Sequence, residues 1–457
     1  MAKYTALFLV MGFCLCFADE ISEKFVINPS DMATIDEVYE MMEQRREARL
    51  SKRSDLSLSG VAFLRETSVV GSLIIGIIDF YQTYNTSTTY VDAFVYAQSN
   101  YLVPNSYYGM HVHSYGDLSN TDGDAIGPHF VGVGSPIHGC PPNPIRHEGD
   151  MGNFLVLPTG IISEWKELDL LQTFNIPSSV PASIIGRAVA LHGIQDNCDA
   201  SYLGPKIAIG TIGIGFESPD SVELDTEPDA LVAHVTGTSY CFQCQASVWV
   251  WRAIDTSSGN VVIRVRARAY SPYIADLGWN RSSHGWAIHQ WGDISAKNGN
   301  NIGNHWDNNL DIHFHGLPPS PNRHAGDLGN SLLVVPYNGG PYVQTWLDVV
   351  LDGSTFTFQS VAGRGISYYN GYDRGAVCQD FGGSGSIWGM GVLGVANPAI
   401  SIPKVPKSAI PVLPDTFDDT QCLSSSYNDA PPPNSSSASE VVFSIMVIAL
   451  AVAAYIF

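Results

Sequence analysis

His111 and His113 stand two apart in GMHVHSYGD, a run with strand-like alternation, so both imidazoles leave one face and can grip one ion. His129 in GPHF, His138 in SPIHG, His147 with Asp150 in RHEGD, and His192 in ALHG with Asp196 just beyond it extend the set. One histidine on a strand is ordinarily a satisfied core or surface residue; six with a carboxylate, in a chain holding 13 His, point to a metal centre. Imidazole with one carboxylate suits zinc or copper, whereas calcium and magnesium take oxygen ligands.

Such side chains need a rigid frame. From about Leu56, runs such as GSLIIGIIDFYQ and NFLVLP are separated by Gly, Pro, Asn and Asp, which reads as strands and turns. The frame is also duplicated. RHEGDMGN at Arg146–Asn153 returns as RHAGDLGN at Arg323–Asn330, IIGRAVAL around Arg187 as VAGRGISY around Arg364, and GTIGIG at Gly210 as GVLGVA at Gly391. Matches in one order at nearly one offset imply tandem domains over 56–222 and 228–402. In 457 residues, 45% hydrophobic and 15% charged with 43 Gly and 27 Pro, that organisation fits turn-rich globular units. With 23 Lys plus Arg against 44 Asp plus Glu, the net charge of −21 argues against nucleic acid as a partner.

The flanking segments give an address. Residues 1–18, MAKYTALFLVMGFCLCFA, read as a cleaved secretory signal. Residues 19–55 form a charged stretch in which Asp31–Lys52 has helix formers with acidic residues first and basic residues last, predicting a short exposed helix. A Pro/Ser-rich stalk over 403–440 leads to the apolar tail 441–457, which lacks a following Lys or Arg. This reads as a glycosylphosphatidylinositol signal, with Asn428, Asn434 or Ser435 as the attachment residue; a retained tail anchor is the alternative. Either places the body outside the cell, on the membrane surface, where Asn85 and Asn280 begin glycosylation sequons.

HVHSYGD, GPHF, RHEGDMGN, ALHGIQDN and GTIGIG, in this order and preceded by GIIDFYQ, resemble the copper/zinc superoxide dismutases, strongly in the first repeat and partially in the second. The resemblance implies an all-β fold: two tandem Greek-key β-barrels of eight strands, with the metals held by long loops. By position, His111, His113, His129 and His192 match the family's copper ligands, and His129, His138, His147 and Asp150 its zinc ligands. His129 would bridge the two ions, and Asp196 matches the carboxylate that ties a copper histidine to a zinc histidine. The implied reaction converts superoxide to oxygen and hydrogen peroxide, with His129 taking up and delivering a proton. Lys206 stands where the family has an arginine; it supplies charge without forked hydrogen bonds. The family's usual disulfide positions lack cysteine, and Cys140 with Cys198, near the metal loops, is a substitute pair. Cys241-Phe-Gln-Cys244 lacks a thioredoxin pattern and reads as structural.

In the second repeat, His305, His315, His324 and Asp327 match the zinc set and Asp373 matches Asp196. For copper only His289 and His305 remain: Ala287 stands at the position of His111, Tyr369 at that of His192 and Ile387 at that of Lys206, and neither His284 nor His313 has a matching register. The expectation is a cell-surface superoxide dismutase with one redox repeat and one zinc-stabilised copy, self-pairing through its repeats or as a homo-oligomer. The rival is a structural or adhesion protein that reuses the fold without turnover. Copper delivery is a weaker rival, since Cys or Met motifs suited to Cu(I) are not evident in the first repeat.

Overall fold

The computed structural model describes residues 35–52, 56–83, 89–98, 101–132, 134–168, 183–199, 204–215, 228–272, 284–308, 315–318, 320, 323–331, 342–352, 356–375 and 384–405. The signal, the apolar tail, Asn85, Asn280, His313, Cys378 and Cys422 lie outside the described residues. Among the described residues no helix is long and apolar enough to cross a membrane.

The first repeat contains β1 (Leu56–Glu66), β2 (Ile74–Thr83), β3 (Thr89–Ala97), β4 (Tyr107–His113), β5 (Asp150–Leu155), β6 (Ile162–Leu168), β7 (Ala188–His192) and β8 (Lys206–Ile214). They pair in the order β5-β4-β7-β8-β1-β2-β3-β6, a nearly closed antiparallel barrel of eight strands. The second repeat contains β9 (Ala230–Gly237), β10 (Gln245–Ile254), β11 (Val261–Pro272), β12 (Gly285–Ile288), β13 (Asp327–Asn330), β14 (Tyr342–Asp352), β15 (Gly365–Tyr369), β16 (Ile387–Val392) and β17 (Gly394–Val395). Its order, β13-β12-β15-β16-β9-β10-β11-β14, repeats the first, with β17 pairing β9 where the counterpart of β8 breaks at Leu393. The all-β, tandem-barrel expectation therefore describes the molecule.

Period-two alternation explains why β1 to β3 read as unbroken apolar runs. Ala62, Leu64, Ile78, Phe80, Ala93 and Val95 fill the barrel interior, while Val61, Phe63, Ile75, Ile77, Tyr81 and Phe94 form a second buried layer on the outside. That outer layer is covered by α1 (Ile35–Lys52), whose Val38, Met41 and Met42 belong to the same cluster. The helix was expected to be exposed. Its Val38, Met41, Met42 and Arg45 follow helical spacing and are all buried, a stripe obscured in the sequence by the surrounding charge. Arg45 and Arg49 pair with Asp92, and Arg46 pairs with Asp79 of β2 and with Asp293 of the second repeat.

Both repeats lie in one compact unit, Met1–Phe417. Backbone meets backbone between them in two equivalent sets: Gly116 N–H donates to the Val395 carbonyl at 2.9 Å and Gly292 N–H to that of Ile214 at 2.8 Å, while Val395 and Ile214 N–H groups donate to Gly186 and Gly363 carbonyls, each at 2.7 Å. A Cβ on Gly213 would sit 2.2 Å from the Gly292 carbonyl oxygen, so this contact requires glycine.

Candidate metal centre

In the first repeat, β4 delivers His111 and His113 to one face, β7 ends in His192 beside them, and His129 forms a bridge with His113. Hydrogen bonds fix which ring nitrogen each presents. His113 Nδ1 donates to the Gly127 carbonyl at 2.8 Å and His192 Nδ1 to that of Gly204 at 3.3 Å, leaving the two Nε2 atoms facing each other at 3.4 Å. His111 Nε2 donates to Asp196 Oδ2 at 2.8 Å, so Nδ1 is its inward atom. That Nδ1 and His129 Nε2 are buried and make no hydrogen bond. Nitrogen lone pairs converging in this way are costly unless something electrophilic satisfies them, which is the fit expected of a soft or borderline metal.

On the other side of the His129 ring, donor atoms of His129, His138, His147 and Asp150 lie within 4.8 Å of one another. His129 Nδ1 is 2.7 Å from Asp150 Oδ1, and His138 Nε2 donates to Asp196 Oδ1 at 3.0 Å, turning Nδ1 inward. His147 Nε2 donates to the Pro136 carbonyl at 3.2 Å. Three imidazole nitrogens and one carboxylate form a closed tetrahedral-type set. Asp150 is aimed by the Gly139 N–H at 3.0 Å and the His147 N–H at 3.1 Å, both onto Oδ2.

The surroundings favour neutral donors on the first side and a charged pair on the second. Burial, then the neighbouring His111 and His129, push His192 down to about 3; burial outweighs the Asp150 contact and takes His129 down to about 4. Burial opposes protonation of His138, but Asp150 and Asp196 prevail and raise it to about 9. Lys206 is strand-paired with His192, and its Nζ lies 3.5 Å from Asp124 Oδ1.

The second repeat reproduces the second set and alters the first. Donor atoms of His305, His315, His324 and Asp327 again lie within 4.8 Å, and His315 Nε2 meets Asp373 at 2.8 and 3.0 Å. Ala287, Tyr369 and Ile387 instead join Ile302 and Met390 in an apolar cluster. The Tyr369 hydroxyl lies 2.8 Å from His305 Nε2 and 3.1 Å from His289 Nε2, and His289 Nε2 also meets Ser367 Oγ at 2.7 Å. A phenol thus bonds the two nitrogens that, in the first repeat, face the neighbouring histidines. His284 is held elsewhere, Nδ1 to the Tyr369 carbonyl at 2.6 Å.

The sequence matches the copper/zinc superoxide dismutase (SODC) family model twice, over residues 74–212 and 257–393. The chain belongs to the copper/zinc superoxide dismutase family. Among relatives, the extracellular superoxide dismutase [Cu-Zn] 2 of Dictyostelium discoideum is 28% identical over 299 residues, 62% of this chain and 66% of its own length. This chain therefore spans just under two thirds of that relative. The superoxide dismutase [Cu-Zn] of Saccharomyces cerevisiae is 30% identical over 148 residues, 30% of this chain and 89% of its own. The solved structure of the clock protein EA4 aligns at 28% identity over 35% of this chain and 96% of its own, with a TM-score of 0.28. Copper and zinc are the metals of the superoxide dismutase family, and histidine clusters in both repeats have donor sets suited to metal.

Several residues of this superoxide dismutase-family chain escaped the sequence reading. Asn153 takes the Asp196 N–H and donates to its carbonyl, both at 2.7 Å, and Asn330 does the same for Asp373. The signal was present: Asn closes both RHEGDMGN and RHAGDLGN. Ser367 gave no such signal, and Tyr369 had been placed at the position of His192 without its hydroxyl contacts to His289 and His305. Cys140 and Cys198 are disulfide-bonded, as are Cys241 and Cys244.

Proposed function

We propose that the chain is a cell-surface superoxide dismutase in which the first repeat turns over and the second is a zinc-stabilised copy without redox copper. The observation that carries the reading is the contrast between His192, whose Nε2 faces the other imidazoles, and Tyr369, whose hydroxyl bonds the corresponding pair. His111, His113, His129 and His192 would hold copper; His129, His138, His147 and Asp150 would hold zinc; His305, His315, His324 and Asp327 would hold a second zinc. Bound copper supplies reversible one-electron chemistry, so that one superoxide loses an electron, a second gains it, and two protons complete hydrogen peroxide.

The chain's own residues do the rest. Lys206, beside His192, draws in the anion, and Asp124 offsets part of that field. His129 Nε2 is the atom that takes a proton and gives it to the departing peroxide. Asp196 holds the rings of His111 and His138 so that each presents Nδ1. The disulfides, the names of the Dictyostelium relatives and the signal-like first 18 residues support a location outside the cell; the apolar tail supports a lipid anchor at Asn428, Asn434 or Ser435.

The test is metal analysis and superoxide turnover of the secreted, tail-deleted protein beside His192→Ala. Expected are about one copper and two zinc per chain, with both copper and turnover lost in the variant and zinc kept. A fully metallated parent without turnover sinks the catalytic reading and leaves the structural or adhesion role.

A further inference from the structure

We propose that the Cys140–Cys198 disulfide is a positioning device for Asp196, and that its reduction loosens both metal sets of the first repeat while sparing the second. The inference rests on the metal assignment above.

Asp196 has to reach two rings at once. Oδ2 accepts from His111 and Oδ1 from His138, one histidine of each set. Asn153 pins the Asp196 backbone, while the Cys198 N–H, donating to Oδ1 at 2.7 Å, orients the carboxylate. That hydrogen bond is made with Cys198 at φ +65°, in the left-handed region, where a residue with a Cβ is disfavoured. Among the described residues the other non-glycine at positive φ is Asn105, a type that tolerates this conformation; cysteine has no such excuse.

The second repeat reveals what the conformation is for. Gly375 occupies the position of Cys198 with φ +63°, and its N–H donates to Asp373 Oδ1 at 2.8 Å. Leu317 occupies the position of Cys140, and a Cβ on Gly375 would lie 3.0 Å from the Leu317 side chain. The same turn and the same hydrogen bond are thus reached twice: by glycine, which adopts left-handed backbone freely, and by a cysteine held there through its side chain. The crosslink is well placed to hold it. Cys140 follows His138 and Gly139, and Gly139 N–H donates to Asp150, so the bond joins the segment of the second metal set to the segment of Asp196.

Reduction by a phosphine is balanced: phosphorus takes oxygen from water, the S–S bond takes the two electrons, and the two protons of water complete two thiols. Cys198 is then free to leave the left-handed region and withdraw its N–H from Asp196, which frees His111 and His138 together. Asp373 is oriented instead by Gly375, which carries no thiol to crosslink.

The experiment compares four forms of the secreted, tail-deleted protein: the parent, the phosphine-treated parent, Cys140→Ala, and Cys140→Ala/Cys198→Gly. Zinc and copper affinities are read by competition with a chromophoric chelator, and the ring N–H protons of His111 and His138 by NMR on the metal-free protein. Reduction and Cys140→Ala should each weaken first-repeat metal binding at least tenfold and broaden both proton signals, with second-repeat zinc unchanged. Adding Cys198→Gly should restore most of the affinity and both signals, which a merely structural crosslink would not do. Unchanged affinity in Cys140→Ala, or no recovery in the double variant, overturns the proposal. A parent that binds no metal in the first repeat, yet shows the NMR losses and recovery, overturns the metal assignment and keeps the positioning role.

Discussion

Replacing Arg46 by Met tests whether α1 clamps the repeats together. Its guanidinium meets Asp79 at 2.9 and 2.6 Å and Ser295 Oγ at 3.1 Å, and it pairs with Asp293, with side-chain exposures of 11% for Arg46, 4% for Asp79 and 6% for Asp293. Methionine keeps the stem and removes the charge, leaving two buried carboxylates facing one another. Breaking a buried pair by removing one partner costs about 3–5 kcal/mol. At about 2.1 cal/mol/K of unfolding entropy per residue, that lowers Tm by about 4–6 °C for the barrels and helix together. The sign of the pH dependence follows from Asp79, whose carboxyl is held above its ordinary range by burial, against the opposing pull of Arg46. Without Arg46 it rises further. A carboxyl raised on folding contributes stability below its unfolded pKa and loses it as pH rises through the folded value, so the deficit should shrink from pH 7.5 toward pH 5. Asp79→Asn added to Arg46→Met should recover part of the loss. Calorimetry on the secreted protein checks this; a variant melting within about 1 °C of the parent at pH 7.5 refutes the clamp.

Chelating the metals should lower the melting temperature of both repeats, because an ion held at 100 times its Kd adds about 2.7 kcal/mol; Asp327→Asn should abolish the second-repeat share while leaving superoxide turnover in place. Ala287→His with Tyr369→His should create a second copper set with His289 and His305, seen as an additional copper per chain with a nitrogen-rich electron-spin signal; an unchanged copper count counts against the phenol as the obstacle. Gly213→Val places side-chain atoms where the Gly292 carbonyl is 2.2 Å from a bare Cβ, and should part the repeats, read as a lower melting temperature and faster proteolysis than in Gly71→Val, where no atom lies within 4 Å. Equal behaviour of the two valines would contradict a close backbone contact.

Strands and their duplication were legible because apolar runs broken by turn residues and a repeated order of motifs are local signals; the barrel itself followed from the family resemblance. The histidines stood out because the spacing of His111 and His113 places both imidazoles on one face. The same reasoning misjudged α1. Val38, Met41 and Met42 follow helical spacing, but whether that stripe meets water depends on Ile75, Ile77 and Phe94, which come later in the chain and lie on the outside of another element. Tyr369 was seen as the loss of His192, yet its positive act, bonding His289 and His305, depends on β12 and β15 pairing in register. Asn153 needed the folded loop as well, since its partner Asp196 is distant in sequence and the link runs through backbone atoms that carry no residue signature.

Repeat two keeps some positions and loses others, and the division follows what each residue touches. Ala287, Tyr369 and Ile387 replace residues whose counterparts act only on the first set, and they close that space with apolar packing. His305 is retained although it belongs to both sets, because Asp327 holds its Nδ1 at 2.6 Å whatever lies at Nε2. Gly292, Gly363 and Asp293 serve the contact between repeats. The terminal segments reinforce that contact reciprocally: Arg46, ahead of the first barrel, reaches Asp293 of the second, while Asn397, after the second barrel, donates to Asp117 at 3.4 Å and to the Ala125 carbonyl at 3.0 Å in the first. Asp117 and Asp293 close the corresponding motifs HSYGD and HQWGD, so these motifs carry an assembly function at one end and a donor function at the other. Ala287 and Tyr369 change what surrounds the donor end of HQWGD, yet at its other end Gly292 still bonds Ile214 and Asp293 still pairs with Arg46.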